Sequence, residues 1–130
     1  MNETRQPLVI GFTGHRDRTC RLEQLSEIAS RYPDAVWIHG GAPGFDSQVE
    51  EFIRPRRPAI TLRPDYKRFE PRVAPLRRNE DIVHLCGLLV ALYDGRESGG
   101  TAYTVRYARS IGVPVIILQD SDGDRHSPPI

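Results

Sequence analysis

Short runs of mostly apolar residues recur along the chain, and each one stops at a polar or charged side chain. The runs fall at residues 7–12, 35–38, 59–62, 87–93 and 113–118. A run without polar alternation predicts a strand covered on both faces, as in a parallel sheet. Between the runs the apolar period changes. Leu22, Leu25, Ile28 and Ala29 fall at helical spacing within residues 20–31, and Phe45, Val49, Phe52 and Ile53 do so within residues 45–53. Leu76, Ile82, Val83 and Leu85 mark a third helix within residues 71–85, beginning near Pro75, because proline suits a first turn. Ala102, Val105, Ala108 and Ile111 mark a fourth within residues 101–111. Pro33 and Pro55 close the first two helices, since proline cannot continue them.

Five strands alternating with four helices predict an α/β domain of three layers, a five-stranded parallel sheet with helices on both faces. Right-handed crossovers leave few strand orders. The order 3-2-1-4-5 is favoured, with a crevice between the first and fourth strands, and 2-1-3-4-5 is the alternative. A length of 130 residues suits one core. Residues 1–119 are assigned to that domain, and the polar, acidic, proline-containing residues 120–130 to a disordered tail.

Composition then narrows the function. Eighteen basic and 17 acidic side chains give a formal net charge of +1, which disfavours nucleic acid as the partner. Lys67 is the sole lysine, and an arginine-based surface suits oxyanion recognition as well as reflecting codon usage. No apolar stretch reaches bilayer length and the polar first six residues lack a signal pattern, so a cytoplasmic protein without a membrane partner is expected. Cys20 and Cys86 are far apart and lack neighbours at metal-ligand spacing, and His84 beside Cys86 is too close for tetrahedral ligation alone. Buried free thiols, no metal and no cofactor are the expectation.

The strands of a parallel sheet all end at one edge, where ligands bind. At least seven of the 11 glycines fall in loops at that edge: Gly14, then Gly40, Gly41 and Gly44, then Gly95, Gly99 and Gly100. Glycine lets the backbone approach a ligand, and the helix that follows offers N–H donors and a positive dipole end. Neither G-x-G-x-x-G nor G-x-x-x-x-G-K-[ST] is present, which argues against an ordinary dinucleotide enzyme or a P-loop ATPase. Polar residues beside these loops complete the candidate site. Thr13, His15 and Arg16 lie at the exit of the first strand, and Asp46 lies in the first turn of the second helix, as a dipole complement or a ribose ligand. Arg77, Arg78 and Asn79 open the third helix, where one arginine suits a phosphate. Asp94 ends the strongest strand, as a ribose ligand, a general acid/base or a loop cap. Ser98 and Thr101 are phosphate-binding hydroxyls, helix caps, or both. His39 is read as structural.

A strand ending in Thr13-Gly14-His15-Arg16, then His39-Gly40-Gly41-Ala42-Pro43-Gly44-Phe45-Asp46, a later Arg78-Asn79, and an Asp94-Gly95 that leads to Gly99-Gly100-Thr101 together resemble the SLOG superfamily of Rossmann-like proteins. Within it the chain looks most like the small stand-alone YspA/YpsA-related branch. The resemblance covers residues 8–118 and implies a pocket for a nucleotide or nucleotide-derived ligand. It implies that Gly40, Gly41, Gly44, Gly99, Gly100 and Thr101 line that pocket, with Thr13, Gly14 and Arg16 on its floor. The LONELY GUY phosphoribohydrolases and the DNA-processing proteins are related, and relatives often form dimers or larger assemblies, so a homo-oligomer is expected. The phosphoribohydrolase pattern Pro-Gly-Gly-x-Gly-Thr-x-x-Glu places its glutamate near Thr104, and residues 102–105 contain no carboxylate. A hydrolase would have to use Asp94, Glu97 or Asp46. The expected function is therefore a binding or sensor module, with an N-glycosidase acting through Asp94 or Glu97 as the alternative.

Overall fold

The computed structural model describes residues 6–119, and along them strands and helices alternate without exception. The strands are β1 (Val9–Gly14), β2 (Val36–His39), β3 (Ala59–Thr61), β4 (Leu88–Leu92) and β5 (Val115–Leu118). The helices are α1 (Leu22–Arg31), α2 (Phe45–Ile53), α3 (Ala74–Leu85) and α4 (Gly100–Ser110). All strand pairs are parallel, in the order β3-β2-β1-β4-β5. Because β1 pairs with both β2 and β4, the alternative order 2-1-3-4-5 is excluded. The tail assigned to residues 120–130 lies outside the described residues.

Element boundaries differ from the sequence reading where hydrogen bonding outlasts hydrophobicity. The first strand, expected over residues 7–12, runs on through Thr13 and Gly14 because both pair with β4, opposite Ala91 and Leu92. The last begins at Val115 rather than Val113. Val113 donates its N–H to the Ala108 carbonyl at the end of α4, and Pro114 has no N–H to offer the ladder.

The alternating sides of the strands feed two cores. Ile10, Phe12, Trp37, Leu88, Val90 and Leu92 meet the apolar stripes of α1 and α2, including Leu25, Ile28, Phe45, Val49 and Phe52. Trp37 is central to this side, with its ring centroid 4.3 Å from Phe12 and 5.7 Å from Phe52. On the opposite side Val83, Cys86, Leu89 and Ala108 join α3 and α4 to the sheet. Here α3 approaches β1 so closely that a Cβ on Gly11 would lie 2.8 Å from Ile82. Cys20 and Cys86 are free and buried, and burial pushes the Cys20 thiol up to about 11. Among the described residues no helix is long and apolar enough to cross a membrane.

Candidate functional site

Strands β1 and β4 are neighbours, yet the chain leaves them for opposite faces: β1 leads to α1, β4 to α4. Such a divergence opens a crevice at the carboxyl ends of the strands. A cavity of about 720 Å³ occupies it, a size typical of small-molecule sites. Its walls come from the end of β1, the β2–α2 loop with the start of α2, the start of α3, and the β4–α4 loop with the first two turns of α4.

The β2–α2 loop is held from several sides. Asp46 Oδ2 accepts hydrogen bonds from the amides of Gly40 (3.1 Å) and Ala42 (3.2 Å), while Arg78 Nη1 donates to the Gly40 and Leu62 carbonyls. The Gly40 residue is thus gripped at its N–H by an acid and at its carbonyl by a cation. Both side chains are buried, and burial pushes the Asp46 carboxyl up and the Arg78 guanidinium down from their ordinary values. Asp46 Oδ1 is buried and has no hydrogen-bond partner among the described residues. His39 extends the grip: its Nδ1 accepts from the Gly41 amide at 3.0 Å and its Nε2 lies 2.7 Å from Glu50 Oε1. Hydrogen bonds from Arg54 and His39 hold the Glu50 carboxyl down, to about 2.

The β4–α4 loop is open by comparison. Its carboxylate Asp94 is occupied by Arg96, whose Nε lies 2.9 Å from Oδ1 and whose amide donates to the same oxygen at 3.1 Å. That guanidinium holds the Asp94 carboxyl well below the usual range. Asp94 also meets His15, whose Nε2 lies 3.2 Å from Oδ1 and 3.3 Å from the Asp94 amide nitrogen. Burial, then the Arg96 charge, lowers the His15 ring below its ordinary 6.5. The neutral ring can accept the amide proton. Beyond Arg96 the loop exposes Glu97 and Ser98 and turns at Gly99, with φ +105°, into α4. No side chain caps this helix start. Its first N–H groups and the positive end of its dipole are left for an anion.

The structure brings Thr13, Gly14, His15, Arg16, Asp46, Arg78, Asn79, Glu97, Ser98, Gly99, Gly100 and Thr101 to the cavity wall. Five other candidates stand off it. Gly40, Gly41 and Gly44, within the β2–α2 loop, pack against Arg78, Arg63 and the Arg16 carbonyl respectively, and Asp94 is turned to Arg96 and His15. Arg77 pairs with Glu80 at 3.1 Å beside the Phe69 ring. The wall also contains Arg72, Leu76, Tyr103 and Arg106, none of which the sequence reading named as a site residue. For Leu76, Tyr103 and Arg106 the signal was spacing, since Leu76 and Asn79 lie three apart, as do Gly100, Tyr103 and Arg106, so each set follows one helix face; Arg72, ahead of α3, had none. Arg16 and Arg72 have no acidic partner within 4 Å among the described residues, whereas Arg106 donates to the Glu97 carbonyl at 2.9 Å. The wall can therefore offset negative charge on three sides. Among the described residues no group of three His, Cys, Asp or Glu side chains is placed to hold a metal ion. No protein-family model, curated protein or solved structure compared with the chain matches it.

Proposed function

We propose that this protein binds a nucleotide or a nucleotide-derived small molecule in the crevice between β1 and β4, as a sensor or binding module. The observation that carries the reading is the uncapped start of α4 opening onto a 720 Å³ cavity whose wall also holds Arg16, Arg72 and Arg106. A phosphate at Gly99, Gly100 and Thr101 would meet helix N–H donors and a positive dipole end, with guanidiniums completing its neutralisation. Membership of the SLOG superfamily is part of this proposal and rests on the motifs at Thr13, Gly40, Arg78 and Asp94. So are a cytoplasmic location and a homo-oligomer, the latter in keeping with exposed Leu85 and Ile111.

Hydrolysis of an N-glycosidic bond is the second reading, and Glu97 in the wall favours it, because an oxocarbenium-like transition state needs a carboxylate near C1 of the sugar. Two observations weigh against it. Asp94, held ionised by Arg96, is a poor proton donor. Thr104, at the position of the phosphoribohydrolase glutamate, is buried and bonded to Asn79 and the Gly100 carbonyl. The two readings separate on incubation with the ribonucleoside 5′-monophosphates. A rise in melting temperature without release of free base supports binding. Free base released by the wild type and not by Glu97→Gln establishes the hydrolase instead, and no effect of any nucleotide overturns both.

A further inference from the structure

The two glycine loops of the cavity come from β2 and β4, strands separated in the sheet by β1. Nevertheless a continuous line of hydrogen bonds joins them. Arg78 Nη1 donates to the Gly40 carbonyl at 2.5 Å, and its Nε donates to Asn79 Oδ1 at 2.7 Å. Asn79 Nδ2 donates to Thr104 Oγ1 at 2.9 Å, and that hydroxyl donates to the Gly100 carbonyl at 2.7 Å. From Arg78 to Gly100 every bond points the same way, donor to acceptor, an order in which each bond polarises the next. At the other end the Gly40 amide returns to Asp46. The second turn of α3, which carries Arg78 and Asn79, is thereby the bridge between the clamped loop and the anion-accepting start of α4.

We propose that Arg78, Asn79 and Thr104 are positioning residues, a relay that sets the start of α4 against the β2–α2 loop so that the two sides of the cavity move together. The function of this relay rests on the nucleotide reading above; its existence does not. Asn79 lines the cavity, but both ends of its amide are committed to the relay. Arg78 gives Nη1 and Nε to it and keeps Nη2 without a protein partner among the described residues. Thr104 is the informative member. It is 1% exposed and forms no part of the cavity wall, so changing it removes no contact to a ligand. Valine has the same shape and branching without the hydroxyl, and serine keeps the hydroxyl without the methyl.

Amide resonances of Gly40 and Gly41 in the ligand-free protein, followed in Thr104→Val, test the relay directly. The expected result is that both move, that Thr104→Ser returns them towards their wild-type positions, and that Thr104→Val weakens binding of the ribonucleoside 5′-monophosphates by about tenfold. Thr104→Ala provides the same test should the valine variant fold poorly. Unmoved Gly40 and Gly41 resonances in a folded variant overturn the relay, as does a serine variant indistinguishable from valine. Resonances that move in a protein binding none of the nucleotides leave the coupling in place and remove the nucleotide reading.

Discussion

In the β2–α2 loop a Cβ on Gly40 would lie 2.5 Å from the Arg78 guanidinium, and one on Gly44 would lie 2.2 Å from the Arg16 carbonyl oxygen. In the β4–α4 loop a Cβ on Gly95 or Gly99 would meet nothing within 4 Å, and one on Gly100 only Asn79 Nδ2 at 3.9 Å. The same residue type thus serves two ends. Gly40 and Gly44 are small because neighbouring protein fills the space, and the loop they form is a closed support. Gly99 and Gly100 face open space, so a ligand can approach the backbone there. The lesson is that glycine beside a strand end marks either a packed foundation or an open backbone, and the surrounding atoms decide which.

The comparison breaks most severely at Gly44. With φ +78° it already occupies the left-handed region, and the atom facing its missing Cβ is backbone, which cannot swing aside. Gly44→Ala is expected to lower stability by about 3 kcal/mol or more, read as the shift in a urea unfolding curve. A loss below about 1 kcal/mol would mean that the loop yields easily and is no foundation. The open loop should respond in the opposite sense. Gly100 has ordinary helical space around it, so Gly100→Val should change stability by less than about 1 kcal/mol. Its branched side chain would nevertheless stand where the proposed nucleotide's phosphate would sit. Binding of the ribonucleoside 5′-monophosphates should fall at least about tenfold in a calorimetric titration, and unchanged affinity would move the phosphate elsewhere.

Much of this fold could be read from periodicity because strand and helix repeats differ and each segment keeps to one of them. The clearest case is α2, expected over residues 45–53 and formed by Phe45–Ile53. The site was only half readable. That glycines cluster after β2 and β4 is a property of the sequence, but the carbonyl that excludes a side chain at Gly44 belongs to Arg16, 28 positions away. Likewise, Arg72, just ahead of α3, reaches the cavity through the way that helix docks on the sheet, which local patterns do not encode. Asp94 is the instructive case. A carboxylate at the end of the strongest strand suggested acid/base chemistry, yet Arg96, two residues on, occupies it. That pairing depends on the Gly95 turn, at φ +90°, bringing the two side chains to the same side.

The smallest expected effect asks whether charge helps to keep the closed loop shut. Glu50 anchors it at second hand, through His39, whose other ring nitrogen receives the Gly41 amide. Hydrogen bonds from Arg54 and His39 depress the Glu50 carboxyl from an ordinary 4.5 to about 2 in the folded chain. A depressed carboxylate favours folding at pH values above its unfolded value, and its contribution fades as pH falls from 4.5 towards about 2. With a side chain 34% exposed, much of this interaction is screened by solvent, so the effect is modest. Glu50→Gln keeps an oxygen acceptor for His39 and Arg54 but removes the charge. At pH 7 the variant should melt slightly below the wild type, and the gap should narrow as pH falls through that window and close near its lower end. A gap that persists at pH 2 would assign the anchor to hydrogen-bond geometry rather than charge. The β2–α2 loop would then be shut by packing at Gly44 and by the grip of Asp46 and Arg78 on Gly40, with ionisation of Glu50 contributing nothing to the difference between the two loops.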